Sequence, residues 1–469
     1  MLKIVEDTFR EMNERVVYCH FKSNEHLEKS VNGKTDFDLL IQKESASEFE
    51  SLLLEKGFKR VNSSYHSTYP GVDNWIGFDY PTGSFIHFHV HYELVTGLEG
   101  FKNYVLPWKS IALDSRVLDD NYHIYTVKYE YELIELYTRM ILKQNIVEII
   151  KSSLFGLKVK KSNLQEYEWL KKKIDNDELR LVCEQCYPNC DIGFIVDCLQ
   201  KSNLNQQEYV KLRRIIIRYF SLFDRKNERF IYFKNFLFKL KNKFKIHHNP
   251  YVISKKTSFK SGLIISFLGV DGSGKSTITE EIAKWLGWKY SVSCISLGIG
   301  REKKKKLRQL KQNLNMSGTP TKDSSSKKQS LKQAIHFYGF SSIINKDIQK
   351  ISRFRSNGGI VITDRFPQIS YFGVSDGPKI LEKYEFLSRR EKKNLEIVNQ
   401  IQPDVVFKLM VPLETLLERR PNDNKELLKK KYDVLKKIHY DQSKMIDVDA
   451  TVSMEEEILF IKREIWKLL

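Results

Sequence analysis

The sequence predicts an α/β protein of more than one domain, and three observations carry that prediction. Its 469 residues exceed what one ordinary core organises, so two or three domains are expected. From residue 261 onward, strand-like apolar runs alternate with helix-like stretches, the order that builds a parallel sheet wrapped by helices. The third is FLGVDGSGKST, residues 267–277, a glycine-rich turn between an apolar run and an amphipathic one. Ahead of this C-terminal domain, residues 261–469, the chain reads as a small α/β domain over 1–118, a helical region over 119–245 and a linker over 246–260.

The elements follow in order from local pattern. DFDLLI and SFIHFHVHYEL alternate or run apolar as strands do, and SASEFESLLLEKG reads as a helix ended by Gly57. Past residue 120 come long periodic stretches poor in Gly and Pro, such as YEYELIELYTRMILKQNIVEIIKSSLF and QQEYVKLRRIIIRYFSLF, which read as helices. The basic, polar FKLKNKFKIHHNPYVISKKTSFKSG contains Pro250 and reads as the linker. Then LIISFLG, SVSCISLG, GGIVITD, PDVVFKLMV and MIDVDA read as strands, with KSTITEEIAKWLG and LKQAIHFYGFSSIINKDIQKISRFRSN as helices between them. Residues 301–330 interrupt this alternation. They hold ten basic and two acidic residues without apolar period and read as a solvated insertion; a funnel for a polyanion is the functional alternative.

Lys and Arg total 78 against 59 Asp and Glu, a formal charge of +19, which favours acidic partners: nucleotides, nucleic acids, phosphorylated sugars or an anionic surface. Residues 1–30 contain no apolar signal core, and no apolar run is long enough to span a bilayer, so a cytoplasmic protein is expected. Six cysteines are too few for a disulfide scaffold. Cys183, Cys186, Cys190 and Cys198 cluster, but their spacing fits no zinc pattern, and buried thiols among Leu181, Phe194, Ile195 and Val196 are expected instead.

Gly269-Val270-Asp271-Gly272-Ser273-Gly274-Lys275-Ser276 fits G-x4-GK-[ST] at every fixed position. Glycines let backbone N–H groups wrap a phosphate, and the following helix offers its N-terminus; Gly269, Gly272, Ser273, Gly274, Lys275, Ser276 and Thr277 would hold ATP this way. Lys275 would reach the outer phosphates and the Ser276 hydroxyl would ligate Mg2+. A second oxygen ligand for that ion is expected from a neighbouring strand, and Asp364 ends the run GGIVITD. Arg365 beside it suits a phosphate on the acceptor. Arg419 and Arg420, after another strand, could close over the transferring group.

Taken together, FLGVDGSGKST, GGIVITDRF, QPDVVFKLMVPLETLLERR and IDVDA resemble the thymidylate kinase family in order and spacing, over about residues 261–469. The resemblance implies a P-loop kinase fold and transfer of the ATP γ-phosphoryl group. By it Asp271 would meet an acceptor hydroxyl, Asp364 and Arg365 would serve the metal and the acceptor phosphate, Phe366 would border the substrate, and Arg419 and Arg420 would begin the lid. Two departures bear on the acceptor. LGIGREKKKK stands where the family has Arg-Glu-Pro-Gly, and PQISYFGVSDGP replaces its thymine-reading Ser-x-x-Ala-Tyr-Gln. An acceptor other than dTMP is therefore expected, such as a sugar or glycan-linked hydroxyl or phosphate.

In GKTDFDLLI, Asp36 and Asp38 stand two apart on a strand and share a face, as carboxylates holding magnesium against a triphosphate would. With FKS thirteen residues upstream, placing Ser23 ahead of them, this part resembles the nucleotidyltransferase superfamily. Lys22 replaces its glycine, and the later strand offers His87, His89 and His91 where a third acid is expected; the histidines read as a polar pocket wall. The pairing of two such domains resembles bacterial proteins associated with surface polysaccharide assembly. The expected function is an ATP-dependent kinase with a possible second nucleotidyltransferase site. The alternative is a nucleic-acid-associated P-loop NTPase.

Overall fold

The computed structural model describes the chain except residues 64–67, 224–233, 235–250, 298–328, 375–376 and 422. The expected insertion up to 328, the first part of the expected linker and most of 224–245 thus lie outside the described residues. The chain divides into two compact units, Met1–His248 and Asn249–Leu469.

The first unit is built on a mixed sheet. Its strands are β1 (Tyr18–His20), β2 (Phe37–Ile41), β3 (Lys59–Asn62), β4 (Val72–Asp79), β5 (Ser84–His91), β6 (Val117–Leu118) and β7 (Tyr125–Thr126). They lie in the order β3-β4-β5-β2-β1-β7-β6, with β2 parallel to β5 and Asp38 opposite His89. Alternation along β2 defines two layers. Phe37, Leu39 and Ile41 join a core with Val5, Phe9 and Met12 of α1 (Lys3–Arg15) and Phe49, Leu52 and Leu53 of α2 (Ala46–Glu55). Leu40, on the other face, joins Cys19, Phe21 and the core of the helical region. The carboxylate of Asp38 lies on this second face, by the period of two.

The long periodic stretch after residue 120 folds as two helices, α3 (Tyr129–Leu142) and α4 (Ile146–Phe155). Asn145 causes the break: its side chain accepts from the N–H groups of Val147 and Glu148, and the Glu148 carboxylate accepts from the Asn145 N–H. Helices over Asn176–Cys186, Ile192–Leu199 and Gln206–Phe220 pack against α3, and the clustered cysteines belong to this core. Cys183, Cys186 and Cys198 are buried, and the Cys186 carbonyl accepts from the Trp108 indole at 2.7 Å.

In the second unit five strands, β8 (Ile264–Leu268), β9 (Val292–Ile295), β10 (Ile360–Thr363), β11 (Val405–Met410) and β12 (Lys444–Asp449), form an all-parallel sheet in the order β9-β10-β8-β11-β12. Apolar side chains dominate the central strands because helices cover both faces. These are α5 (Lys275–Gly287), α6 (Leu331–Ser356), α7 (Glu385–Asn399), α8 (Leu413–Arg419), α9 (Lys425–Lys437) and α10 (Met454–Leu468). Ile278, Ile282 and Leu286 form the buried stripe of α5. The chain order reverses at β8, so the crevice beyond the carboxyl ends of β8 and β10 is the expected ligand position. Among the described residues no helix is long and apolar enough to cross a membrane.

Candidate active site

The loop after β8 enters α5 through Gly274, the residue preceding the first helical turn. Gly272 and Gly274 adopt φ values of 91° and 84°, a backbone that a side chain would strain. Lys275, the first residue of α5, folds back on the loop: its ammonium donates to the carbonyls of Gly269 at 2.6 Å and Val270 at 3.1 Å. Burial lowers its pKa, with Arg365 and Lys431 adding repulsion while Asp271 and Asp364 oppose the shift. Ser276 and Thr277 are exposed in the first turn.

The sheet brings the remaining groups to this loop. Asp364 follows β10, whose Thr363 lies opposite Ser266 of β8. Its Oδ2 accepts from the Ser296 hydroxyl at 3.1 Å and lies 3.8 Å from Arg365 Nε. Its Oδ1 is buried without a hydrogen-bond partner, as is the Ser273 hydroxyl. Buried polar atoms left in this way suit a metal ion and a phosphate oxygen. Mg2+ would thus be held by Asp364 together with Ser276, and ATP by the loop. From α8, Arg419 donates to the Gly272 carbonyl at 3.2 Å. Arg420 lies over the same residue, its Cγ standing 3.2 Å from where a Gly272 side chain would begin.

Asp271 receives the Lys431 ammonium of α9 at 2.7 Å. That hydrogen bond is the main reason its carboxyl lies below the usual range, with Lys275 and Arg365 assisting. Phe366 is a correction to the sequence reading. It is fully buried against Tyr440, whose hydroxyl donates to the Phe366 carbonyl at 2.8 Å, and therefore packs the core instead of bordering a substrate. Sequence reasoning missed Lys431 and Ser296. Lys431 sits in a run of lysines where only helix phase selects the one facing the loop. Ser296, just past β9 at the carboxyl edge, was open to the rule that ligands gather there.

The segment replacing the thymine-reading motif is fixed from within. Gln368 is buried; its amide donates to the carbonyls of Tyr371 and Val374, and its oxygen accepts from the Tyr371 N–H.

In the first unit the two carboxylates each meet a histidine of β5. His87 Nδ1 lies 3.0 Å from Asp36 Oδ2, and His89 Nδ1 lies 2.8 Å from Asp38 Oδ1. Lys22 Nζ lies 2.9 Å from the same Asp38 oxygen. Burial would raise the Asp38 pKa, but Lys22 and His89 hold its carboxyl well below the usual range. Asp38, His89 and His91 bring their ligand atoms within 4.8 Å of one another. His87, paired with Asp36, is not part of this group. Ser23 adopts a left-handed backbone, φ 58°, ahead of a short helical turn at Asn24–His26.

The second unit's parallel sheet, phosphate-cradling loop and converging cationic side chains define an ATP-using phosphotransferase of the P-loop class. No protein-family model matches the chain. Thymidylate kinase of Prochlorococcus marinus is 30% identical over 191 residues, 38% of this chain and 76% of that protein. The uncharacterized ATP-binding protein YghR of Escherichia coli K12 is 28% identical over 208 residues, 41% of this chain and 82% of that protein. Over that share of its length the chain belongs to the thymidylate kinase family. Among solved structures, thymidylate kinase from Ehrlichia chaffeensis shares 20% identity over 44% of this chain and 99% of that one, with a TM-score of 0.28. Deoxyadenosine kinase from M. mycoides with bound dATP shares 18% over 43% and 98%, at 0.25.

Proposed function

We propose that the second unit transfers the γ-phosphoryl group of ATP to an acceptor other than dTMP, a sugar or glycan-linked hydroxyl or phosphate. One observation carries this: Lys275, Asp271, Asp364, Arg365 and Arg419 gather around a single glycine-rich loop at the carboxyl edge of a parallel sheet. ATP supplies the phosphoryl group and Mg2+ the neutralising charge. Lys275 leaves the loop carbonyls for the outer phosphates, Arg419 and Arg420 close over the developing charge, and Asp271 orients the acceptor. Gln368 supports a different acceptor, because its amide is spent inside its own loop and is not available to read a base. In the first unit, Asp36 and Asp38 with Ser23 support a nucleotidyltransferase-like second site.

The test uses purified full-length protein with labelled ATP and Mg2+ against nucleoside monophosphates, sugars and glycan precursors. Lys275→Ala is expected to lose about 10^2-fold or more in acceptor-stimulated transfer. Preference for dTMP over every other acceptor would overturn the acceptor assignment, and unchanged transfer by Lys275→Ala would overturn the site.

A further inference from the structure

The first unit holds a cluster of cationic side chains that phosphotransfer in the second unit does not use. A cavity of about 20 Å³ is lined by Lys22, Lys102, Arg139, Lys143, Glu135 and Thr96, with Phe21, Leu94 and Leu106 as its apolar wall. Two of the four cations are matched by carboxylates: Lys22 by Asp38 at 2.9 Å, and Arg139 by Glu135 at 3.3 Å and Glu166 at 2.9 Å. Lys102 and Lys143 have no carboxylate within ion-pair distance among the described residues; Lys102 instead lies over the Tyr69 ring at 4.6 Å. Lys102 is partly buried and held in a left-handed backbone, φ 39°, while Lys143 is exposed. The Thr96 hydroxyl, on the same cavity, is buried and makes no hydrogen bond.

At partly buried Lys102 an unmatched positive charge is costly, and the orphaned Thr96 hydroxyl adds to that cost. We propose that this cavity is an anion site, in which Lys22, Lys102, Arg139, Lys143 and the Thr96 hydroxyl take a phosphate-class group. A space of this size holds about one water, so the anion enters as the flexible lysine stems swing outward. Burial, then Lys22 and Lys143, pushes the Lys102 ammonium down to about 7, with Asp38 opposing. An arriving anion would restore its proton. Burial, then His89, Lys22 and Lys102, likewise holds His91 well below its usual pKa, with Asp38 opposing.

Lys22 ties this cavity to Asp38, so the inference rests on the same site as the nucleotidyltransferase reading, but binding needs no transfer at Asp36 and Asp38 and the two fail separately. Calorimetric titration of the full chain as Lys275→Ala, which weakens the phosphate loop of the second unit, tests it with inorganic sulfate, whose charge is constant over the range used. Sulfate is expected to bind, more tightly at about pH 6.5 than at about pH 8.5 as Lys102, pushed down to about 7, and Lys143, pushed down to about 8, take up their protons. The other groups facing Lys102 are Lys22, Lys143, Asp38, His89 and His91, with Arg139 and Glu135 lining the same cavity and the Tyr69 ring beneath the ammonium. Adding Lys102→Met is expected to weaken binding by about tenfold or more and reduce the pH dependence to the part that Lys143 carries, with Lys102→Arg restoring affinity and leaving that part alone. Thr96→Val, which keeps every charge, is expected to weaken binding several-fold. Pyrophosphate and ATP arms then separate the sources: tighter binding of ATP that Lys102→Met removes assigns a nucleotide, equal binding a free phosphate. Absence of sulfate binding, or binding indifferent to Lys102→Met, would overturn the proposal.

Discussion

Glu25 illustrates how one buried side chain sets a pH response. Its side chain is nearly fully buried, and Oε2 has no hydrogen-bond partner. Burial first, and the neighbouring Glu166 next, push its carboxyl up to about 7; Glu132 and Glu166, with oxygens within 4.8 Å of it, are raised too, Glu132 by burial and Glu166, and Glu166 by burial and Glu135 against the pull of Arg139. An unfolded glutamate titrates near about 4.3, so between there and about 7 the folded chain holds a proton that the unfolded chain has released. Stability of the first unit should therefore fall as pH rises through that window. Glu25→Gln is expected to raise the melting temperature above about pH 7 and to flatten its pH dependence, read by thermal melts at several pH values. An unchanged slope would mean that Glu132 and Glu166 carry the proton alone. The cluster was invisible in the sequence because Glu25, Glu132 and Glu166 come from three separated segments, each reading as an ordinary polar helix position.

The glycine-rich loop and α5 were legible as an element, because chemistry and spacing are local there: the backbone wraps, the helix begins, and Lys275 follows. Gly274→Ala places a side chain at φ 84°. That backbone costs a non-glycine residue about 1–2 kcal/mol, lowering the melting temperature of a unit this size by a few degrees. The larger expected effect is functional: amides at the start of α5 turn away from the phosphates and the KM for ATP rises about tenfold, measured by steady-state kinetics. Unchanged KM would show that the loop does not hold the nucleotide. By contrast, the break between α3 and α4 was hidden inside one periodic stretch, since the apolar period continues across Asn145 and only its capping hydrogen bonds divide the helix. Phe366 was misplaced for a related reason. It adjoins Arg365 in sequence, but the chain turns inward after β10 and delivers the ring to Tyr440.

Across the whole molecule, the two candidate sites belong to units with separate cores. Asp38→Ala is accordingly expected to leave ATP-dependent transfer to the second unit's acceptor within about twofold, while Asp364→Ala abolishes it; substitutions in separate cores with no shared partner act additively. Loss of transfer in Asp38→Ala, with unchanged melting, would make the two sites one system. The alternating strands and helices after residue 261, the phosphate-cradling loop and the paired carboxylates could be read directly from residue order, because each depends on neighbours a few positions away. Which lysine meets Asp271, which serine meets Asp364, and how Lys22, Thr96, Lys102 and Lys143 surround one cavity could not. Those contacts join side chains from segments far apart in sequence, and only the packing of the sheets and the phase of each helix brings them within a few ångströms.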